Sequence, residues 1–461
     1  MPQMVPIADQ LAALETGRTT SRELVEKSLA AAADPAGQGV RTFTKVYSDC
    51  ALYAADSIDQ QRRTGVGQGG LLGLPISVKD LFDIAGEPTP AGSIVLADAP
   101  PAKKDAAAIA RLRAAGAVLI GRTNMTEFAF SGLGINPHYG TPRNPFDRAI
   151  GRIPGGSSSG AAISVTDGMA AAAIGTDTGG SLRIPAALCG LTAFKPTARR
   201  APLQGVLPLS RSLDSVGAIA PTVACCARMD AVLSGEPLTP LVSCDTVGLR
   251  VGVLQGHVLD GLDADVARRF EAVLSILSKA GANVKEAHFS ALADIPACYA
   301  NGGIPAYESH DWHRKLIEQH GELYDPRVLA RILRGRKISP ADYSDLMKTR
   351  RRIIAEAERT FADSDVWLLP TAPRIAPIIS ELVADDAAYF DANAAMLRNP
   401  SIFNFLDGCA LSIPCHVPGE APVGLMLAAP GRQDRKLLRI GLAIEAALAK
   451  AGCAIVPALL P

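Results

Sequence analysis

Two Gly/Ser-rich segments and one lysine are the residues of this chain best suited to chemistry. The segments are Gly155-Gly156-Ser157-Ser158-Ser159-Gly160 and Asp177-Thr178-Gly179-Gly180-Ser181. Loops of this composition either cradle an anion with backbone N–H groups or expose a serine beside an oxyanion hole made of those groups. A Walker-type phosphate loop needs a Lys-Ser/Thr step after its glycines, and neither segment has one. Residues Gly156 to Gly160 also satisfy G-x-S-x-G, which in a nucleophile elbow would make Ser158 the attacking group. Histidines do follow, at 257, 288, 310, 313, 320 and 416. An elbow, however, needs a strand running into it. Arg152-Ile153-Pro154 is a poor strand, and no HGGG-type motif lies upstream. Ordinary turns are the plain alternative for both segments.

The lysine is Lys79, at the end of the short apolar run Leu74-Pro75-Ile76-Ser77-Val78. A lysine there is costly unless it is paired or neutral, and burial favours the neutral form by lowering its pKa. A neutral lysine can replace histidine as the base that activates a serine. The competing structural reading pairs Lys79 with Asp80.

The elements that must position these residues follow from periodicity. Thr20 and Glu23 form a capping box ahead of a helix within residues 7 to 33. Leu74 to Val78 and Ala117 to Gly121 read as buried strands, with a helix from Ala106 to Gly116 between them. Ala161 to Gly168 and Met169 to Ile174 repeat helix then strand. Val366 to Pro370 and Leu411 to Pro414 read as late strands, and Arg435 to Lys450 as a closing amphipathic helix. This alternation predicts an α/β class with helices packed on a sheet. Residues 262 to 362 read as a helix-rich stretch. With no repeat and no linker, residues 1 to 461 are expected to form a single domain. Residues Gly65 to Gly70 match G-x-G-x-x-G formally, but no strand leads in and Leu71, Gly73 and Pro75 follow, so a surface loop is expected.

Composition narrows the function classes. Lysine plus arginine and aspartate plus glutamate each number 46, so there is no global attraction to nucleic acid or anionic membrane. Small molecules are the default partners. Nine cysteines without a C-x-x-C pair suggest buried free thiols rather than a zinc site or a disulfide framework. No metal or organic cofactor is expected. No secretory signal and no apolar run of spanning length stand out, which predicts a soluble, cytoplasmic protein. A homodimer is the base-rate expectation.

Taken together, Gly73 to Asp80, Pro154 to Gly160 and Gly175 to Pro185 resemble the amidase signature family. The similarity continues through Gly121-Arg122-Thr123-Asn124-Met125-Thr126-Glu127-Phe128 and Cys189 to Thr197, so it is dense over residues 70 to 220. Ser159 departs from the commonest family pattern, which has glycine there. The resemblance implies a large mixed β-sheet core with helices on both faces. It also implies that Ser181 is the nucleophile, that Ser157 is a bridging serine after a cis Gly156–Ser157 bond, and that Lys79 is the base. Thr178, Gly179 and Gly180 would form the oxyanion hole, with Asp177 and Arg183 holding the loop.

The same resemblance implies hydrolysis of an amide to an acid and ammonia or an amine, through an acyl-enzyme. Two alternatives stay open: the glutaminase subunit of a tRNA-dependent amidotransferase, and an allophanate or biuret-type hydrolase. Met125 and Arg331 are the expected substrate-side residues. Arg331 matches an arginine of the glutaminase subunit's amino-acid clamp, but Leu397 stands where its late aspartate belongs.

Overall fold

The computed structural model describes residues 4–66 and 69–454. Two residues of the Gly65 to Gly70 motif, Gly67 and Gln68, lie outside the described residues. Among the described residues, eleven strands form a single sheet: β1 (Phe43–Val46), β2 (Pro75–Lys79), β3 (Val118–Thr123), β4 (Ala172–Asp177), β5 (Thr192–Lys195), β6 (Ser215–Ala220), β7 (Arg250–Leu254), β8 (Asn283–Ala287), β9 (Val366–Pro370), β10 (Cys409–Pro414) and β11 (Gly424–Ala429). Their spatial order is β1-β3-β2-β4-β6-β5-β10-β11-β9-β7-β8. The sheet is mixed. β2 is parallel to both β3 and β4, and β7 is parallel to β8 and β9, while the pairs from β4 through β11 to β9 are antiparallel.

Every residue of β2, β3, β4, β5, β6, β9, β10 and β11 is buried. Successive strand residues point to opposite faces, so uniform burial means that both faces are covered. The α/β class and the mixed sheet between helices are as the sequence leads one to expect. The outermost strands β1 and β8 are largely exposed.

The Thr20–Glu23 capping box is formed on the helix Ser21–Ala33. Helices at Ala107–Ala114, Ser159–Thr166 and Asp434–Lys450 match their expected positions within a few residues. The helix-rich stretch contains Ala264–Lys279, Gly303–His320, Pro326–Leu333 and Pro340–Phe361, but β8 also runs through it. All nine cysteines are free; Cys50 is exposed and Cys244 and Cys298 are half-buried, so the expectation of burial holds for the other six. Among the described residues, no helix is long and apolar enough to cross a membrane, and no group of three His, Cys, Asp or Glu could hold a metal ion.

Candidate active site

The parallel pairing of β2 with β4 brings the C-terminal ends of both strands to one edge of the sheet, with Val78 opposite Ile174. Carboxyl ends of parallel strands are where open α/β sheets present their ligand sites. Lys79 ends β2 and is fully buried. Its Nζ donates to Ser157 Oγ at 2.8 Å and to Thr176 Oγ1 at 3.0 Å. Burial pushes its ammonium down to about 7, against the opposing pull of the Asp177 and Asp214 carboxylates. Asp80 faces elsewhere: it accepts the Gly92 N–H at 3.0 Å and lies 3.6 Å from Arg122. The Lys79–Asp80 pairing is not formed.

Ser157 follows a cis Gly156–Ser157 peptide bond, as the resemblance implies. The glycine at 156 is required by space, because a Cβ there would sit 2.4 Å from the Gly134 nitrogen. Two backbone bonds hold this corner, from Thr126 N–H to the Ser157 carbonyl at 3.1 Å and from Ser158 N–H to the Ser181 carbonyl at 3.3 Å. Ser158 Oγ turns inward toward the Thr176 carbonyl at 3.5 Å. No strand leads to it, since Arg152 makes only an isolated bridge to Ile378. The elbow reading therefore fails on geometry. Ser159 Oγ reaches the Asn124 carbonyl at 3.4 Å, which gives the variant third serine a partner.

Ser181 lies four residues beyond the end of β4, on a loop held by buried charge. Arg183 donates to Asp177 through Nε at 3.0 Å and Nη2 at 2.9 Å, and both side chains are fully buried. Arg183 Nη2 also donates to Asn404 Oδ1 at 2.7 Å. Asn404 Nδ2 in turn donates to the Asp177 carbonyl at 3.0 Å and to its carboxylate at 2.9 Å. Burial alone would raise the Asp177 carboxyl, but Arg183 outweighs it and, with Lys195 and Asn404, holds it well below the usual range. Asp177 Oδ1 also takes the Gly180 N–H at 2.8 Å. Gly180 thus spends its donor on the loop, unlike the expected oxyanion set, while Thr178 and Gly179 line the cavity. Thr178 is oriented by its hydroxyl, which donates to Asp214 Oδ1 at 2.5 Å.

The loop opens onto a cavity of about 670 Å³. Thr178, Gly179 and Ser181 line it together with Phe130, Ser131, Tyr299, Arg331 and Leu397. The Arg331 guanidinium lies 4.7 Å from the Phe130 ring centre, in cation–π geometry. Burial pushes it down to about 10. Among the described residues, no carboxylate forms a salt bridge with Arg331, whereas Asp391 on the same cavity wall is paired with Arg374 at 2.7 Å. Met125 is not at the cavity. It is fully buried in the main core, and its carbonyl accepts from Asn136 Nδ2 at 2.7 Å. Of the two expected substrate-side residues, Arg331 lines the cavity and Met125 does not, because the chain turns after residue 126 and presents Ala129, Phe130 and Ser131 instead.

Sequence reading missed Thr176, Asp214, Asn404 and Phe130. Thr176 could have been found from the register of two parallel strands. Asp214 and Asn404 carry no local signal, because only the tertiary fold brings them to the loop.

Comparison with known proteins agrees with this geometry. The family model described as Amidase matches residues 23–438. A 2-amino-5-chloromuconic acid deaminase of Comamonas testosteroni is 37% identical over 398 residues, covering 85% of each chain. A glutamyl-tRNA(Gln) amidotransferase subunit of Chloroflexus aurantiacus is 32% identical over 478 residues, covering 94% of each. A solved amidase crystal structure superposes with a TM-score of 0.86 at 32% identity, covering 96% of this chain and 99% of that one. With its fold, its lysine–serine contact and its cavity in place, this chain belongs to the amidase signature family of hydrolases that act on C–N bonds.

Proposed function

We propose that the chain hydrolyses a carboxylic amide with Ser181 as nucleophile, Ser157 as proton relay and Lys79 as base. The observation that carries this reading is the 2.8 Å contact between Ser157 Oγ and a wholly buried Lys79 whose ammonium is destabilised to about 7. Ser181 Oγ attacks the amide carbonyl carbon. Its proton passes to Ser157 Oγ while the Ser157 proton passes to neutral Lys79 Nζ. Negative charge gathers on the carbonyl oxygen, where the Thr178 and Gly179 N–H groups stabilise it. The C–N bond then breaks as Lys79 returns the proton through Ser157 to the leaving nitrogen. Water attacks the resulting ester by the same route, giving the acid and restoring Ser181.

Arg331 supports a finer assignment: the substrate amide carries a carboxylate at the far end of its acyl part. A half-buried guanidinium stacked on Phe130 and, among the described residues, in no salt bridge is a strong partner for a ligand carboxylate. An acid also stands in the name of the Comamonas relative. The test is ammonia release from paired amides with and without a terminal carboxylate, glutamine and asparagine included. Preference for the carboxylated members, lost in Arg331→Met, is expected. Turnover of glutamine alone, and only with a second chain present, would favour the amidotransferase reading.

A further inference from the structure

One short turn, Thr126 to Ser131, touches Ser157 at one end and Arg331 at the other. At its start, Thr126 N–H donates to the Ser157 carbonyl at 3.1 Å. Next comes Glu127, fully buried, with both carboxylate oxygens occupied. Oε1 accepts Ser93 Oγ at 2.7 Å and His138 Nε2–H at 2.9 Å, and Oε2 accepts the Asp325 N–H at 2.7 Å. Asp325 in turn caps the helix Pro326–Leu333 by accepting the Arg327 N–H at 2.9 Å, and Arg331 sits in the last turn of that helix. Phe128 packs on Tyr324, ring centres 5.2 Å apart, and Phe130 lies under Arg331. Phe128 and Ala129 have φ of 49° and 61°, a left-handed backbone that non-glycine residues keep only where the surroundings hold it.

We propose that Glu127 is a positioning residue: by pinning the helix that carries Arg331 to the turn bonded to Ser157, it fixes the spacing between the attacked carbonyl and the bound carboxylate. The enzyme would then select acyl chains by length. This inference rests on the assignment of Arg331 to a substrate carboxylate. Glu127 holds the N–H of the residue that caps this helix, and Phe130 lies against Arg331 in its last turn. Replacing one carboxylate oxygen by an amide would set a donor against donors and loosen the helix without altering Lys79 or either serine.

The experiment is steady-state kinetics on monoamides of straight-chain dicarboxylic acids of increasing length, beside neutral amides of matching length. The wild type should show a KM minimum at one length. Glu127→Gln should flatten that profile, raising KM at the optimum about tenfold, while KM for the neutral amides moves less than about twofold. Ser93→Ala, which removes one donor to the Glu127 carboxylate, should flatten the profile more weakly, and it carries the test if Glu127→Gln does not fold. A sharp optimum unmoved in Glu127→Gln, or in Ser93→Ala where Glu127→Gln does not fold, would overturn the proposal, as would an equal rise in KM for neutral amides, which marks general loosening. If the wild type shows no preference for carboxylated amides, the Arg331 assignment fails and takes this one with it. If Arg331→Met abolishes the preference and the Glu127 and Ser93 variants keep the sharp optimum, only the positioning role fails.

Discussion

Burial of a lysine does not by itself make a base, as the two buried lysines of this site show. Lys195 is also fully buried and is pushed down to about 8, yet its Nζ donates to the Pro196 carbonyl at 2.7 Å. Of the two, Lys79 faces two hydroxyls, the arrangement that the proposed relay requires. The sign of its pH dependence follows from which form works. The neutral form accepts the proton and is populated above about 7, so kcat/KM should rise with pH through about 7 and level off beyond it. A pH–rate profile on a neutral amide checks this, and a limb that falls across the same range would contradict it. Lys79→Ala should remove the limb and lower kcat by about 10²–10⁴-fold. The lysine and both serines were legible in the sequence through their types and flanking residues. Asp214 was not, because its role depends on a single hydroxyl contact with Thr178 made through the fold.

At the level of elements, the nucleophile loop depends on an ion pair that water never reaches. Removing one partner of such a pair strands the other as an uncompensated buried charge. Arg183→Met should therefore destabilise the fold by about 3–5 kcal/mol, read as a lower urea midpoint. Asn404→Ala leaves the pair intact but strips two donor contacts from Asp177, so a smaller loss of about 1–3 kcal/mol is expected. The order of those two losses is the informative result. Asp177 and Arg183 were visible beside Ser181 in the sequence; Asn404, 221 residues from Arg183, was not. Gly180 shows the limit of reading a motif by composition. Its φ of +129° and the side chains of Ile184 and Pro400 explain why glycine stands there, yet its N–H serves Asp177 rather than the substrate.

For the whole molecule, strands were harder to read than helices, for a physical reason. Strands buried on both faces lose the period-two alternation that betrays a half-exposed strand, and β5 is only four residues long. β2, β3 and β4 were found as short apolar runs, whereas β6 and β11, rich in glycine and alanine, gave no comparable signal. The helix-rich stretch and the sheet meet at Trp367 on β9, which lies 5.9 Å from Phe289, 5.3 Å from Phe361 and 6.5 Å from Phe403, ring centre to ring centre. Trp367→Ala should cost about 3–5 kcal/mol in equilibrium unfolding. Trp367→Phe should cost far less, because among the described residues the indole N–H has no partner to lose. Equal losses in the two variants would show that the cluster does not depend on ring packing.

The central claim is that Ser181 attacks and that Lys79 activates it through Ser157. Its most direct test is peptide mapping by mass spectrometry after a timed reaction with a fluorophosphonate, across pH. One adduct is expected, on Ser181, forming faster as pH rises through about 7 and strongly slowed in Lys79→Ala. An adduct on Ser158, or labelling of Ser181 at the wild-type rate in Lys79→Ala, would contradict it.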